Sequence, residues 1–226
     1  KDKFNRAKLH YLPNGILLDS TNEVAVPASD RDKENIILLV GRHGSHQKNS
    51  ERIFDLIPRL SRLDGWKFVL LGPVTDAFQK RYQNFINAYP GYAGNVEIIG
   101  NVTDRTKVAD FYKRAKILLL PSRSEGFPVA CSEALSQGVV VCMSSELTSS
   151  VDITKNEQIG FRIPRENLDA WSTVVSSIMA DEKRLFSLAQ ASREHFKNAL
   201  AWEVTIPVLA ERILSVCCQE HILPLV

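Results

Sequence analysis

The stretch ILLLPSRSEGFPVACSEALSQGVVVCM, residues 117–143, predicts one unit of a parallel β-sheet. Its apolar start, residues 117–120, stops at a proline, which is typical of a buried strand. Residues 127–137 are predicted to be helical, and Gly138 follows them as a C-terminal cap. Residues 139–143 are mostly β-branched, as in a second strand. The order strand, helix, strand predicts two parallel strands joined by a helical crossover.

The same alternation of strands and helices extends over most of the chain. Three further apolar runs are predicted to be strands: residues 36–40, 67–71 and 95–99. Six further stretches are predicted to be helices: residues 50–63, 76–88, 106–115, 168–179, 181–197 and 202–217. The polar segment 20–34 is predicted to be a mobile loop. The predicted fold class is therefore α/β, a Rossmann-like parallel sheet with helices on both faces and ligands at the carboxyl ends of its strands.

Composition excludes several functional classes. The 226 residues carry 28 basic and 26 acidic side chains, a net charge of +2, which gives no general attraction to nucleic acid. No apolar run reaches the roughly 18 residues of a transmembrane helix. The four cysteines lack zinc-ligand spacing and are interpreted as reduced thiols of a cytoplasmic protein; they are Cys131, Cys142, Cys217 and Cys218.

The loop GRHGSHQKN, residues 41–49, follows a predicted buried strand and is a candidate anion site. Arg42 offers a planar fork that suits phosphate, and Lys48 adds a compact positive charge. The alternative is a solvated turn with two surface cations. His43 and His46 lack an acidic third ligand and are interpreted as polar residues rather than a metal pair.

The loop at residues 121–128 carries the strongest functional signal. It leads into a helix, whose N-terminal N–H groups and partial positive charge favour phosphate. Pro128 suits the first helical turn, where its missing N–H costs little. Glu125 and Glu133 lie eight residues apart and are expected to face one crevice. The alternatives are a charge at a helix N-terminus for Glu125 and a surface residue for Glu133, although a carboxylate in a mostly apolar helix needs a partner.

The segments GRHGSHQKN, EIIGNV and PSRSEGFPVACSEALSQG, in this order, resemble the C-terminal domain of retaining GT-B glycosyltransferases. The most similar group is the large family that includes sucrose synthases, glycogen synthases and bacterial polysaccharide glycosyltransferases. The opening LPNGI also resembles that family's entry into its second domain, and the similarity runs from about Lys8 to Leu214. The resemblance implies that residues 1–226 form a single nucleotide-sugar-binding domain, half of a GT-B fold, with the N-terminal acceptor domain outside this chain.

The resemblance also implies a role for each candidate residue. Arg42 and Lys48 would hold the donor diphosphate and stabilise its charge as the sugar–phosphate bond breaks, and Glu125 would lie beside the transferred sugar. These three are the predicted catalytic residues, and Glu133 would accept hydrogen bonds from both ribose hydroxyls. The remaining predicted substrate contacts are Gly126, Phe127 and Pro128 at the sugar and phosphate, and Gly100, Asn101 and Val102 at the base.

The implied function is retaining, metal-independent transfer of a hexose from a UDP- or GDP-linked donor to a growing polysaccharide or lipid-linked glycan, without a cofactor. The chain alone is expected to be inactive, and the full-length protein to be cytoplasmic or peripheral at the inner face of the membrane. Two alternatives are a non-catalytic nucleotide-sugar-binding regulatory module and a nucleotide-sugar epimerase, which lacks the glutamate pair. The sequence departs from the family pattern at Pro128, where glycine is common, and in the wider spacing of Arg42 and Lys48.

Overall fold

The computed structural model describes residues 12–17, 33–61 and 63–219, which contain one six-stranded parallel sheet. Its strands are β1 (Ile36–Val40), β2 (Lys67–Leu71), β3 (Val96–Gly100), β4 (Ile117–Leu120), β5 (Val140–Ser144) and β6 (Phe161–Ile163). The strand order is β3-β2-β1-β4-β5-β6, which is the order of a Rossmann sheet and confirms the predicted fold class. The order reverses between β1 and β4, so a crevice forms where these two strands end.

Helices cover both faces of the sheet. They are α1 (Ile53–Leu56), α2 (Asp76–Ala88), α3 (Arg105–Arg114), α4 (Val129–Ser136), α5 (Ser150–Ile153), α6 (Leu168–Met179), α7 (Glu182–His195) and α8 (Trp202–Gln219). Short 3-10 segments at Ser50–Arg52, Ile57–Arg59 and Pro90–Asn95 and a π-helical turn at Phe196–Leu200 complete the connections. No helix in the described part of the chain is both long and apolar enough to cross a membrane.

The core has two apolar layers, one on each face of the sheet. Successive residues of a strand point to opposite faces, so Ile37 packs into one layer and Leu38 into the other. Phe54 and Phe78 lie in the first layer, and Tyr112 lies in the second. Each large apolar side chain buried in this way stabilises the fold by about 1.5–3 kcal/mol. A sheet buried on both faces gives its carboxyl edge a rigid frame.

The predicted helix over residues 50–63 ends four residues too late and is α-helical only in part. The structure has a 3-10 turn, the four-residue helix α1 and a second 3-10 turn, Ile57–Arg59, in its place. Pro58 lies in the first positions of the last turn, where its missing N–H removes a helical hydrogen bond. Leu60 then adopts an extended conformation, with ψ of 136°, which ends the helical segment.

The remaining differences are smaller. Helix α4 begins two residues later than predicted because Pro128 is its N-cap, with ψ of 110°. Gly138 follows the helix with φ of 66°, a left-handed conformation that suits the predicted glycine cap. Strand β6 and helix α5 were not predicted, and α8 extends two residues beyond its predicted end. Residues 20–32 of the predicted loop and the side chains of Cys217 and Cys218 lie outside the described residues, whereas Cys131 and Cys142 are buried free thiols.

Candidate functional site

The loops after β1 and β4 meet at the crevice between these strands. Gly41, which ends β1, has φ of 145°, a conformation that favours glycine. A Cβ atom at Gly41 would lie 2.8 Å from Cε of Lys48, so only glycine leaves room for this lysine to cross the end of the strand. A Cβ atom at Gly72, which follows β2, would collide with the carbonyl oxygen of Gly41. Both glycines are therefore needed: Gly41 leaves room for the Lys48 side chain, and Gly72 leaves room for the Gly41 backbone.

Lys48 and Glu125 form an ion pair across the crevice. The Nζ atom of Lys48 donates to Oε1 of Glu125 at 2.7 Å, and the carboxylate side chain is only 8% exposed. Gln47 lies beside the pair, and its Nε2 atom donates to the Ser124 carbonyl at 3.0 Å and to Oε2 of Glu125 at 3.4 Å. Two residues predicted to be catalytic, 77 positions apart in the chain, are thus brought into direct contact.

A network of residues that the sequence did not single out joins the two loops. The Arg123 N–H donates to the Gln47 carbonyl at 2.8 Å, and its guanidinium donates to Oδ1 of Asn49 at 2.9 Å. Asn49 is buried and donates to the Pro121 carbonyl at 3.1 Å. Glu166, in the loop after β6, lies between the guanidinium groups of Arg52, Arg123 and Arg165. These bonds hold Lys48 and Glu125 on a shared frame.

Glu133 lies one helical turn into α4 and faces α3. Its Oε2 atom accepts a hydrogen bond from the Tyr112 hydroxyl at 2.8 Å, and its Oε1 atom lies 3.3 Å from the Arg105 guanidinium. The carboxylate therefore has the partner that its apolar helix requires. It borders a cavity of about 460 Å³ whose walls include parts of α3 and α4, residues 14–17 and Trp202.

The pKa of the Cys131 thiol depends on both glutamates. Burial, followed by the negative charges of Glu125 and Glu133, raises the pKa of this thiol well above its usual value. The expectation that Glu125 and Glu133 face one crevice is nevertheless wrong. Glu125 belongs to the crevice with Lys48, whereas Glu133 opens to the cavity beside α3.

The other predicted site residues border these two regions. Arg42 is exposed in the loop after β1, and Gly126 is exposed in the loop after β4. Phe127 is half-buried against the second core layer, and Pro128 is buried. Of the predicted base contacts, Gly100 ends β3 with φ of 81° and accepts a hydrogen bond from the N–H of Gly72 at 2.8 Å, Asn101 is exposed and Val102 is half-buried. The roles of these residues stay predictions.

Comparison with known proteins assigns the chain to a family. The family model described as glycosyl transferases group 1 matches residues 22–195, which is more than half of the sequence. The chain belongs to this family. The structure agrees, since similar solved structures are GT-B glycosyltransferases.

Curated relatives of this group 1 glycosyltransferase chain are distant and longer. One is N,N'-diacetylbacillosaminyl-diphospho-undecaprenol alpha-1,3-N-acetylgalactosaminyltransferase of Campylobacter jejuni, 27% identical over 184 residues, which are 81% of this chain and 44% of that protein. The chain spans about half the length of the curated relatives it matches.

Two solved structures illustrate the shared fold. The C-terminal domain of the group 1 family protein LpcC from Francisella tularensis matches with a TM-score of 0.68 at 17% identity, over 79% of this chain and 97% of that one. Anabaena HepE in complex with UDP matches with a TM-score of 0.69 at 14% identity, over 81% of this chain and 49% of that one. At such identities the similarity establishes the fold alone.

His43 belongs to the packing of this glycosyltransferase domain. The residue is 1% exposed, and its ring lies 5.6 Å from that of Phe78. Burial, assisted by the positive charge of Lys48, lowers the pKa of His43 to about 4. The imidazole is therefore neutral at pH 7. Within residues 12–17, 33–61 and 63–219, no group of three or more His, Cys, Asp and Glu side chains is arranged to hold a metal ion.

The buried state of His43 predicts acid destabilisation. Between its unfolded pKa of about 6.5 and its folded pKa of about 4, the unfolded chain binds a proton at this position and the folded chain does not. The free energy of unfolding should therefore fall as the pH falls through this window, by up to about 3 kcal/mol. Urea denaturation of the wild type and of His43→Gln at pH 7 and pH 4.5 measures this.

The control for this experiment is His46→Gln, which replaces an exposed histidine of the same loop. His195 adds to the pH dependence of stability in the wild type and in both variants, in the same direction as His43, because burial also lowers the pKa of His195. The wild type and His46→Gln should lose similar stability at pH 4.5, and His43→Gln should lose less. An equal loss in all three proteins would contradict the assignment to His43.

Proposed function

We propose that this chain is the donor-binding half of a retaining, metal-independent glycosyltransferase. The enzyme transfers a hexose from a UDP- or GDP-linked donor to a growing polysaccharide or a lipid-linked glycan. The observation that carries the proposal is the Lys48–Glu125 pair, placed where the strand order of the sheet reverses. Ligands of open α/β sheets bind at this position, beyond the carboxyl ends of the strands.

The charges around the crevice match the parts of a nucleoside diphosphate sugar. Lys48 and Arg42 bring positive charge to the loop after β1, where the donor diphosphate is expected. They stabilise the negative charge that develops on the diphosphate as the bond to the sugar breaks, and so take the part that a bound metal ion takes in other enzymes. Glu125 lies beside Lys48 and faces the transferred sugar, and Gly126, Phe127 and Pro128 bring the start of α4 close to the same groups.

The nucleoside is expected to reach the cavity beside Glu133. A carboxylate is an acceptor only, with about four lone-pair sites, and suits the two neighbouring hydroxyls of a ribose. Gly100, Asn101 and Val102, at the end of the neighbouring strand β3, are expected to contact the base. The volume of about 460 Å³ lies within the range of about 300–1,000 Å³ that is usual for small-molecule sites.

The relatives support the proposed acceptor class. The name of the Campylobacter protein describes an acceptor sugar on diphospho-undecaprenol, which is a lipid-linked glycan. We expect the acceptor site to lie in an N-terminal domain outside this chain, and the chain's span of about half the length of its relatives leaves room for such a domain. A full-length protein that acts on such acceptors would work in the cytoplasm, at the inner face of the membrane.

Calorimetry on this chain tests the donor assignment. UDP or GDP should bind, and at 100 times the dissociation constant the bound nucleotide should raise the free energy of unfolding by about 2.7 kcal/mol. The full-length protein should transfer the sugar with its anomeric configuration retained, as measured by NMR of the product. Binding without any transfer would indicate a regulatory module instead, and a product with inverted configuration would contradict the retaining mechanism.

A further inference from the structure

Tyr112 is the buried partner of the predicted ribose ligand. It lies on α3 with 1% exposure, packed in the second core layer, and its hydroxyl meets Oε2 of Glu133 at 2.8 Å. Burial, together with the negative charge of Glu133, raises the pKa of the Tyr112 phenol well above its usual value. The hydroxyl therefore stays protonated at neutral pH and donates a hydrogen bond to the carboxylate.

This bond determines which atoms of Glu133 remain for a ligand. A glutamate side chain has several rotatable bonds, and ordering such a side chain for a ligand costs conformational entropy. Because the core holds the tyrosine ring, the hydroxyl fixes the plane of the carboxylate before a ligand arrives. Oε2 keeps one bond to the protein, while Oε1 lies toward Arg105.

The contact on the other oxygen is loose by comparison. Arg105 approaches Oε1 at 3.3 Å, but its side chain is 85% exposed. An ion pair with such an exposed partner is weak and is readily replaced. Glu133 therefore has one permanent partner and one exchangeable partner, which is the arrangement that a carboxylate needs in order to receive a ligand hydroxyl.

We propose that Tyr112 is a positioning residue that makes this site prefer ribonucleoside diphosphates over their 2′-deoxy counterparts. By fixing the Glu133 carboxylate, it aims Oε1 and the remaining lone pair of Oε2 at the two neighbouring ribose hydroxyls. A 2′-deoxy ligand lacks one of these hydroxyls and gains less from a fixed carboxylate. The inference rests on the proposed function, because it takes Glu133 as the ribose ligand.

The test variant is Tyr112→Phe, which keeps the buried ring and removes only the hydroxyl. The probes are UDP or GDP, whichever binds the wild type more tightly, its 2′-deoxy analogue, and inorganic pyrophosphate, with affinities measured by calorimetry. Tyr112→Phe should bind the ribonucleotide about fivefold more weakly, which corresponds to the loss of one hydrogen bond. The affinity for pyrophosphate should not change, and the affinity for the 2′-deoxy nucleotide should fall by less than that for the ribonucleotide, because only its 3′-hydroxyl remains to meet Glu133. The preference for ribose should therefore fall in Tyr112→Phe.

Two further measurements separate positioning from a merely structural role. Tyr82→Phe removes a hydroxyl from α2, on the other face of the sheet, and should leave all three affinities unchanged. In a Glu133→Ala background, Tyr112→Phe should have no additional effect on the preference for ribose. Equal weakening of all three probes, or an unchanged preference in Tyr112→Phe, would overturn the inference while leaving the proposed function intact. A wild type that binds neither UDP nor GDP would overturn both.

Discussion

Lys48→Ala should lower the turnover of the full-length glycosyltransferase by about 10²–10³-fold, the usual effect of removing one group that stabilises a developing anion. The same variant should weaken binding of the nucleoside diphosphate by about 10- to 100-fold, because a hydrogen bond to a charged group contributes about 1.5–3 kcal/mol. Both effects follow from the place of Lys48, at the end of β1 and in contact with Glu125. Calorimetry and a donor-consumption assay measure them separately.

The control for this prediction is Lys67→Ala. Lys67 is exposed at the start of β2, which is the opposite edge of the same sheet, and its removal takes away one positive charge without touching the crevice. Lys67→Ala should leave both the turnover and the nucleotide affinity unchanged.

Arg42→Ala should weaken nucleotide binding by about tenfold, since Arg42 and Lys48 both contact the diphosphate in the proposed complex. If Lys48→Ala binds the nucleotide as the wild type does, the diphosphate does not lie in the loop after β1.

Secondary structure could be predicted where local signals begin and end an element. The bounds of β1, β2 and β4 are as predicted, since each strand is an apolar run that stops at Gly41, Gly72 or Pro121. Helix α2 also agrees; it begins after Thr75, whose side chain accepts a hydrogen bond from the N–H of Phe78. Such signals lie within a few neighbouring residues, so they are visible before any tertiary structure is known.

Other elements depend on distant parts of the chain. Strand β6 is three residues long, and its pairing with β5, Cys142 beside Phe161, makes it a strand. The predicted helix 50–63 ends early, after Arg59, where Leu60 becomes extended, and the apolar spacing obscured this end. Apolar periodicity predicts a buried face, but it does not indicate where the helical backbone ends.

The candidate site could be predicted from the sequence as a set of charged residues, but not as a set of contacts. The loops after β1 and β4 meet because these strands are neighbours, and strand order is a property of the whole sheet. The partners Arg123 and Glu166 are 43 positions apart, and Tyr112 and Glu133 are 21 apart. No spacing rule relates such pairs. The sequence therefore offered Lys48, Glu125 and Glu133 as candidates, whose roles stay predictions, but it did not indicate the residues that contact them.

These supporting residues explain how a loop can position Lys48, which we propose to be catalytic. Residues 47–49 lie against the loop after β4 through hydrogen bonds from Gln47 and Asn49 and a bond from the Arg123 N–H. A site whose donors are already oriented pays little reorganisation when charge develops in the transition state. The hydrogen bonds that position Lys48 therefore also position Glu125. In the proposed reaction the two residues differ only in their roles.

Glu125→Gln should separate binding from transfer. The glutamine keeps the shape of the side chain and can still contact Gln47, but it removes the negative charge that lies beside Lys48 and, in the proposed complex, beside the sugar. Nucleoside diphosphate affinity should change little, because Lys48 remains free to bind the diphosphate. Turnover in the full-length enzyme should fall by about 10²–10³-fold, since a group that acts mainly in the transition state affects turnover rather than ground-state binding.

The free energy of unfolding of Glu125→Gln must be measured alongside its turnover, because the Glu125 side chain is almost buried and its carboxylate is paired with Lys48. Glu97→Gln, at an exposed position of β3, controls for the loss of one acidic side chain. A Glu125→Gln protein with an unchanged midpoint of urea unfolding, unchanged nucleotide affinity and strongly reduced turnover would support a role beside the sugar. Normal turnover would remove Glu125 from the catalytic residues. The chain alone should transfer no sugar with glutamate or with glutamine at position 125, because the acceptor site that we propose lies in another domain. Efficient transfer by this chain alone would show that both substrates bind within it.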